Sequence, residues 1–174
     1  MKSHALALVL PIVVLLSACG TDGADPGASP SMSASPSAGA VPAFTDVSKG
    51  DTDSIVKLLS FTAGTNQAVV VEPVIFMINP DFCEAFHIPL DDRRCANAWN
   101  TADSQATITL PRADDAVLAL VDQADLSACL DEKGAGSGEV SGREFAERLG
   151  EGQHLVRLTT RDGVAVRLAE LYTP

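Results

Sequence analysis

The chain has 174 residues with 23 acidic against 12 basic side chains, a formal net charge of −11. A surface of that sign repels nucleic acid and anionic headgroups, so nucleic acid is excluded as a partner. Hydrophobic residues at 46% suffice for one core, while aromatics at 5% are too few for a carbohydrate-stacking platform.

Lys2 precedes an apolar run from Ala5 to Leu16 that is interrupted by Pro11. The run is too short to span a bilayer comfortably, which argues against a retained transmembrane helix. Ser17 and Ala18 then stand directly before Cys19 and Gly20. This order resembles the lipobox of bacterial lipoproteins, in which the peptide is cut just before a cysteine that carries a lipid. Residues 1–18 are therefore expected to be a lipoprotein signal peptide and Cys19 the lipidated first residue. The alternative is an ordinary secretory signal with a coincidental cysteine, and the ordered set of features favours the lipobox. Such a lipid is a surface anchor and not a span. It would hold the domain at the extracytoplasmic face of the cell membrane.

Residues 19–43 continue as glycine, serine, alanine and proline, with Asp22 and Asp25 as the charged groups. So little apolar surface cannot offset the cost of ordering, and the segment is expected to be a disordered tether. A single domain is expected over 44–174. Ser54–Phe61 and Ala68–Ile78 are rich in β-branched residues and flank Ala63-Gly64-Thr65-Asn66, the pattern of a hairpin. Pro73 inside the second run predicts an edge strand or a bulge. Gln105–Leu110 alternates at period two and stops at Pro111. Ala116–Val121 follows the Ala113-Asp114-Asp115 corner, so these are predicted as two paired strands.

Ser141-Gly142-Arg143-Glu144 is a capping box. Phe145 and Leu149 then supply one apolar stripe of a helix that Gly150 ends. Leu155–Thr160 and Val164–Leu171 flank Asp162-Gly163, a strong type I′ hairpin signal. The expected fold is mainly β (α+β): about six strands in a small antiparallel sheet, curled into a partly open barrel with one capping helix.

Export implies an oxidising compartment, where cysteines pair. Apart from Cys19 there are three, Cys83, Cys95 and Cys129, so one thiol is left over. Of the three pairings, Cys83–Cys95 is favoured because the two bracket one loop between strands. Cys129 lies in a Gly-rich connection, open to being a free thiol or to bridging another chain. The bracketed loop carries Asp81, Glu84, His87, Asp91, Asp92, Arg93 and Arg94. Its Cys and His spacing lacks the tight pairs of a zinc site, and Asp91-Asp92 lacks the alternating ligands and glycine of a calcium loop. No metal or cofactor is expected.

Catalysis has little to work with. His4 leaves with the signal, which leaves His87 and His154. The chain contains no Gly-x-Ser-x-Gly elbow, no His-Glu-x-x-His and no phosphate-cradling loop after a strand. A small envelope enzyme, a hydrolase or thiol-redox accessory using Cys129 or His154, is the rival reading.

Four stretches together resemble an uncharacterised β-rich domain of secreted and lipid-anchored proteins of Gram-positive bacteria. Gln67–Met77 is similar to that domain's long second strand. Trp99–Val121 resembles an aromatic-Asn-rich segment leading to TLPV-x-x-D-A-x-V. Ser141–Leu149 is similar to its S-L-x-E-F-A-x-x-L helix, and Arg161–Pro174 to a closing hairpin ending Glu-x-Tyr-x-Pro. The cysteine loop and the single tyrosine depart from that pattern. The resemblance implies the fold and no established activity.

The sequence therefore reads as a lipid-anchored, non-catalytic binding module with an envelope protein as its partner. Its candidate contact surfaces are the Cys83–Cys95 loop and the Glu170–Pro174 terminus. Replacing Cys19 with alanine is expected to move the protein from the membrane fraction to the medium, as cell fractionation would read. Retention in the membrane would refute the lipid anchor.

Overall fold

The computed structural model describes residues 42–64, 67–122, 124–125 and 129–173. The expected signal peptide, Cys19 and most of the expected tether lie outside the described residues. Seven strands form one sheet: β1 (Thr52–Phe61), β2 (Ala68–Ile78), β3 (Trp99–Asp103), β4 (Ile108–Leu120), β5 (Gly138–Glu139), β6 (Glu151–Arg161) and β7 (Val164–Glu170). Two α-helices accompany them, α1 (Asp81–Ala85) and α2 (Gly142–Leu149). The mainly β expectation holds.

The strand order is β3-β2-β1-β6-β7-β4-β5, and β2 also pairs with β4. That extra ladder closes β2, β1, β6, β7 and β4 into a ring. Within it β6 returns to lie beside β1, ahead of β2 and β4, which is the Greek-key arrangement. β7 then seals the ring by pairing antiparallel with β6 and parallel with β4. The result is a five-stranded Greek-key barrel of the kind found in OB-folds, an architecture that by itself assigns no function.

The core follows from strand alternation. Val56 and Leu58 of β1 point inward. A bulge between Leu58 and Ser60 then resets the parity and turns Phe61 inward too. Val69 and Val71, Leu110, Leu118 and Leu120, Val156 and Leu158, and Ala165 and Leu168 complete the interior. One end is plugged by α2, whose Phe145 and Leu149 are fully buried. Phe145 meets Phe61 edge-on at 4.8 Å between ring centroids. Ser141 Oγ accepts from the Glu144 N–H at 3.2 Å, so the predicted cap is in place. Gly150 keeps a helical φ of −66° and its N–H still bonds the Ala146 carbonyl. The chain passes from there directly into β6.

Asp162 and Gly163 both take positive φ, 49° and 75°, as a type I′ turn demands. Gly163 is further constrained, since a Cβ there would lie 2.5 Å from the Ser48 carbonyl oxygen. Thr160, the buried polar residue of β6, accepts from the Thr52 N–H and donates to the Gly50 carbonyl. These contacts tie the start of the domain to its last hairpin.

One expectation is corrected. The segments predicted as two paired strands are halves of the single strand β4. Its first half pairs with β2 as far as Ala68↔Pro111, and its second half pairs with β7 from Arg112↔Ala165. Pro111 sits at the handover between partners, where a missing N–H is tolerated. The polar Ala113-Asp114-Asp115 run is a bulge against β7 and not a corner. Pro73 lies at a comparable break: β2 passes from Val71↔Ile108 to Val74↔Asp103, so Glu72-Pro73 face the longer Ser104–Thr107. Pro73 itself stays in the ladder with β1, opposite Val56, and carries no bulge; the extra residues across from it are the connection between β3 and β4, which leaves β2 with a local edge on that side.

After β4 the chain returns along the end of β7. Ala135 bridges Leu171, and the Gly136 N–H bonds the Glu170 carbonyl. Ala119, Ala135 and Ala169 pack as a layer of small side chains beneath. A Cβ on Gly136 would fall 2.5 Å from the Leu120 carbonyl group, which backbone cannot relieve cheaply. Gly136→Ala is expected to destabilise the protein by about 3 kcal/mol. Ser137→Ala, at the exposed next position, should change it by about 0.5 kcal/mol or less. Urea unfolding of the two variants would check this ordering.

Candidate functional site

Two surfaces stand apart from the barrel's structural needs. The first is an arm. β2 runs beyond the ring, and its second half, Val74 to Ile78, pairs with β3. The connection between them holds α1, a short 3-10 turn at Arg93–Ala96, and the Cys83–Cys95 disulfide with a Cα–Cα distance of 6.0 Å. This is the cysteine pairing expected from sequence. Cys83 is wholly buried beside the buried ring of Phe82, which lies 4.6 Å from that of Phe86.

Side-chain amides fasten the rest of the arm. Asn79 Nδ2 donates to the carbonyls of Arg94 and Asn97 at 3.0 and 2.7 Å, and Asn100 Nδ2 to Arg94 at 2.8 Å. Asp92 accepts from the Arg94 N–H and from its guanidinium. These Arg94 side-chain bonds, with the backbone bond, hold the Asp92 carboxyl down at about 2. Trp99 of β3 stacks on Phe76 of β2 at 5.4 Å. Ile78 and Leu90 remain 64% and 67% exposed. His87 has φ 53° and bonds back to Glu84 through its N–H. It closes the helix C-terminus, a backbone role.

The second surface is a cleft of about 290 Å³ lined by Asp53, Asp131, Glu132, Lys133, Arg157, Thr159 and Arg167. Its floor is the outer face of β1, β6 and β7, where register places Asp53 opposite Thr159 and Thr159 opposite Arg167. Its wall is the turn at Asp131–Lys133. Asp131 Oδ1 accepts from the N–H groups of Lys133 and Ala135, both at 2.9 Å, so its side chain shapes that turn.

Arg157 grips Asp53 bidentately at 2.7 and 3.1 Å, and Lys133 Nζ reaches the same carboxylate at 2.6 Å. Arg167 contacts Asp131 Oδ2 at 3.3 Å and the Gly136 carbonyl at 3.0 Å. Partial burial pushes the Asp53 carboxyl up, but hydrogen bonds from Arg157 and Lys133 outweigh it and hold the group below its ordinary range. For Asp131, burial is likewise overcome by the backbone bonds from Ala135 and Lys133 and by Arg167. Both carboxylates are thus ionised at neutral pH. Asp53 and Asp131 stand in the cleft as fixed negative charges.

The other sequence candidates have varied surroundings. The His154 ring nitrogen Nε2 lies 3.0 Å from the Glu151 carbonyl. Cys129 is half-buried in the β4–β5 connection, and its carbonyl accepts from Ser137. The terminus is tied inward: Glu170 Oε2 accepts from the Val121 N–H, Leu171 is buried, and the Tyr172 N–H bonds Gly134. Among the described residues, no three His, Cys, Asp or Glu side chains are grouped to hold a metal ion. Sequence reasoning missed the cleft because Asp53, Asp131, Arg157 and Arg167 lie far apart along the chain. The signal available was the alternation of Arg157 and Thr159 on the outward face of β6.

No family model, curated protein or solved structure matches this chain.

Because the Asp53 carboxyl is depressed in the folded state, its stabilisation is present above the unfolded carboxylate pKa of roughly 4. It is lost as pH falls through the lower folded value. Asp53→Asn is therefore expected to be less stable than the parent at pH 7, with the deficit shrinking as pH falls from about 4 toward 2. Urea titrations across that range would read it; a deficit independent of pH would count against the ion-pair account.

Proposed function

We propose that the chain is an extracytoplasmic lipoprotein, held at the membrane through a lipid on Cys19, whose barrel is a non-catalytic interaction module. Its partner is an envelope protein, and the contact is made by the β2–β3 arm. The observation that carries this reading is the open edge of the arm. β3 ends the strand order. Among the described residues, no backbone group of Trp99–Asp103 bonds to backbone outside its ladder with β2. An open edge of this kind can receive an added strand from a partner. The disulfide and the asparagine bonds hold it in one shape, which lowers the ordering cost of association. Ile78 and Leu90 add apolar contact on the same arm.

Photo-crosslinking residues placed at Ile78 and Leu90 in living cells test this directly, with Glu147 on the exposed face of α2 as the control position. A discrete adduct is expected from the arm positions and none from Glu147. The adduct should weaken in the Cys83→Ser/Cys95→Ser double variant. That change removes about 2–3 kcal/mol of loop constraint. Equal adducts from Glu147, or none from the arm, would overturn the reading.

A further inference from the structure

We propose that the cleft between the Asp131–Lys133 turn and the outer face of β1, β6 and β7 binds an oxyanion, a carboxylate or phosphate group on a small molecule or a flexible chain. The site is separate from the arm and does not depend on it. Three observations converge.

The first is donor surplus. An arginine carries five N–H donors and a lysine three. Protein acceptors use two bonds from Arg157, two from Arg167 and one from Lys133. The Thr159 hydroxyl, on the same floor, has no protein hydrogen-bond partner among the described residues. The unused capacity of the cleft is thus mainly for acceptor-rich ligands.

The second is desolvation. The Arg157 and Arg167 side chains are 16% and 28% exposed. Most of each arginine is covered by neighbouring protein, and an anion meeting a part-buried guanidinium gains more than at a fully exposed cation. Lys133, at 58%, stands at the rim where an entering anion passes first.

The third is charge and shape. Asp53, Asp131, Lys133, Arg157 and Arg167 together leave one positive charge, and Glu132 at the rim brings the lining to neutrality. On a chain of net charge −11, such a cleft is a local relief from repulsion. It suits a single anionic group better than a polyanion, which the surrounding acids would oppose. Asp53 fixes the guanidinium of Arg157 from one side, so the arginine is pre-oriented before any ligand arrives. The volume of about 290 Å³ is at the lower end of ligand pockets, room for a small group.

The test is titration of the full chain in detergent with sodium phosphate or sodium acetate at constant ionic strength, followed by backbone amide NMR shifts. The phosphate and acetate arms separate the two oxyanion sources. At least one should give saturable shifts centred on the Asp131–Ala135 turn and Thr159. Lys133→Gln and Arg167→Gln should each weaken that binding by roughly tenfold, as loss of one charge-assisted hydrogen bond implies. Arg143→Gln, on exposed α2, should leave it unchanged. Lys133 is exposed enough for its variant to fold, and unfolding curves would confirm this for both. Non-saturable shifts with both anions, or equal weakening by Arg143→Gln, would overturn the site.

Discussion

The parallel pairing of β4 with β7 is the constraint on which the structure depends. Without it β4, β2, β1, β6 and β7 would form an open, curled sheet with β4 and β7 as exposed edges. With it the ring is closed, and the apolar faces of five strands converge on one interior. Closure asks one strand to serve two partners in succession, and β4 does so by changing partner at Pro111–Arg112. The bulge at Ala113–Asp115 supplies the bend that a short barrel needs at this point. Gln67 Nε2 on the incoming side of β2 donates to Asp114 at 2.5 Å, fastening the bulge where the handover occurs.

What was legible in the sequence is what local chemistry decides. Asp162-Gly163 requires two positive φ angles, and few structures other than a tight hairpin supply them. Ser141, Glu144, Phe145 and Leu149 state both the start of α2 and the face it buries. Cys83 and Cys95 share one loop, so proximity along the chain already favours their bond. In each case the signal and the structure lie within about a dozen residues.

The illegible parts are those that a distant partner decides. Pro111 and the acidic pair after it read as a strand end, since nothing nearby shows that β2 stops pairing there and β7 begins. β3 is not among the strands expected from sequence; Asn100 and Asp103 are poor strand formers, and it is a strand because β2 extends far enough to offer a ladder. The cleft is less visible still. Its charged residues come from β1, β6, β7 and the turn before β5, and only the register of the closed ring sets Asp53, Thr159 and Arg167 in a row. Tertiary pairing chooses these features, and the local sequence merely permits them.

The outward face of β1 links the two surfaces to one rigid element. Asp53 anchors Arg157 and Lys133 in the cleft. Lys57, four residues on and therefore on the same face, forms an ion pair with Asp103 at the base of β3. Lys57 crosses Glu72 of β2 to do so, and Glu72 in turn accepts from the Gln105 N–H just after β3. Surface ion pairs of this kind, half-covered and half-solvated, add modestly to global stability. Their effect is positional: they fix the arm's base and the cleft's floor against one strand whose other face is locked in the core by Val56 and Leu58. A surface that is held this way presents a constant shape to whatever approaches it. That constancy comes here from barrel closure, with the surface charges only sharpening it.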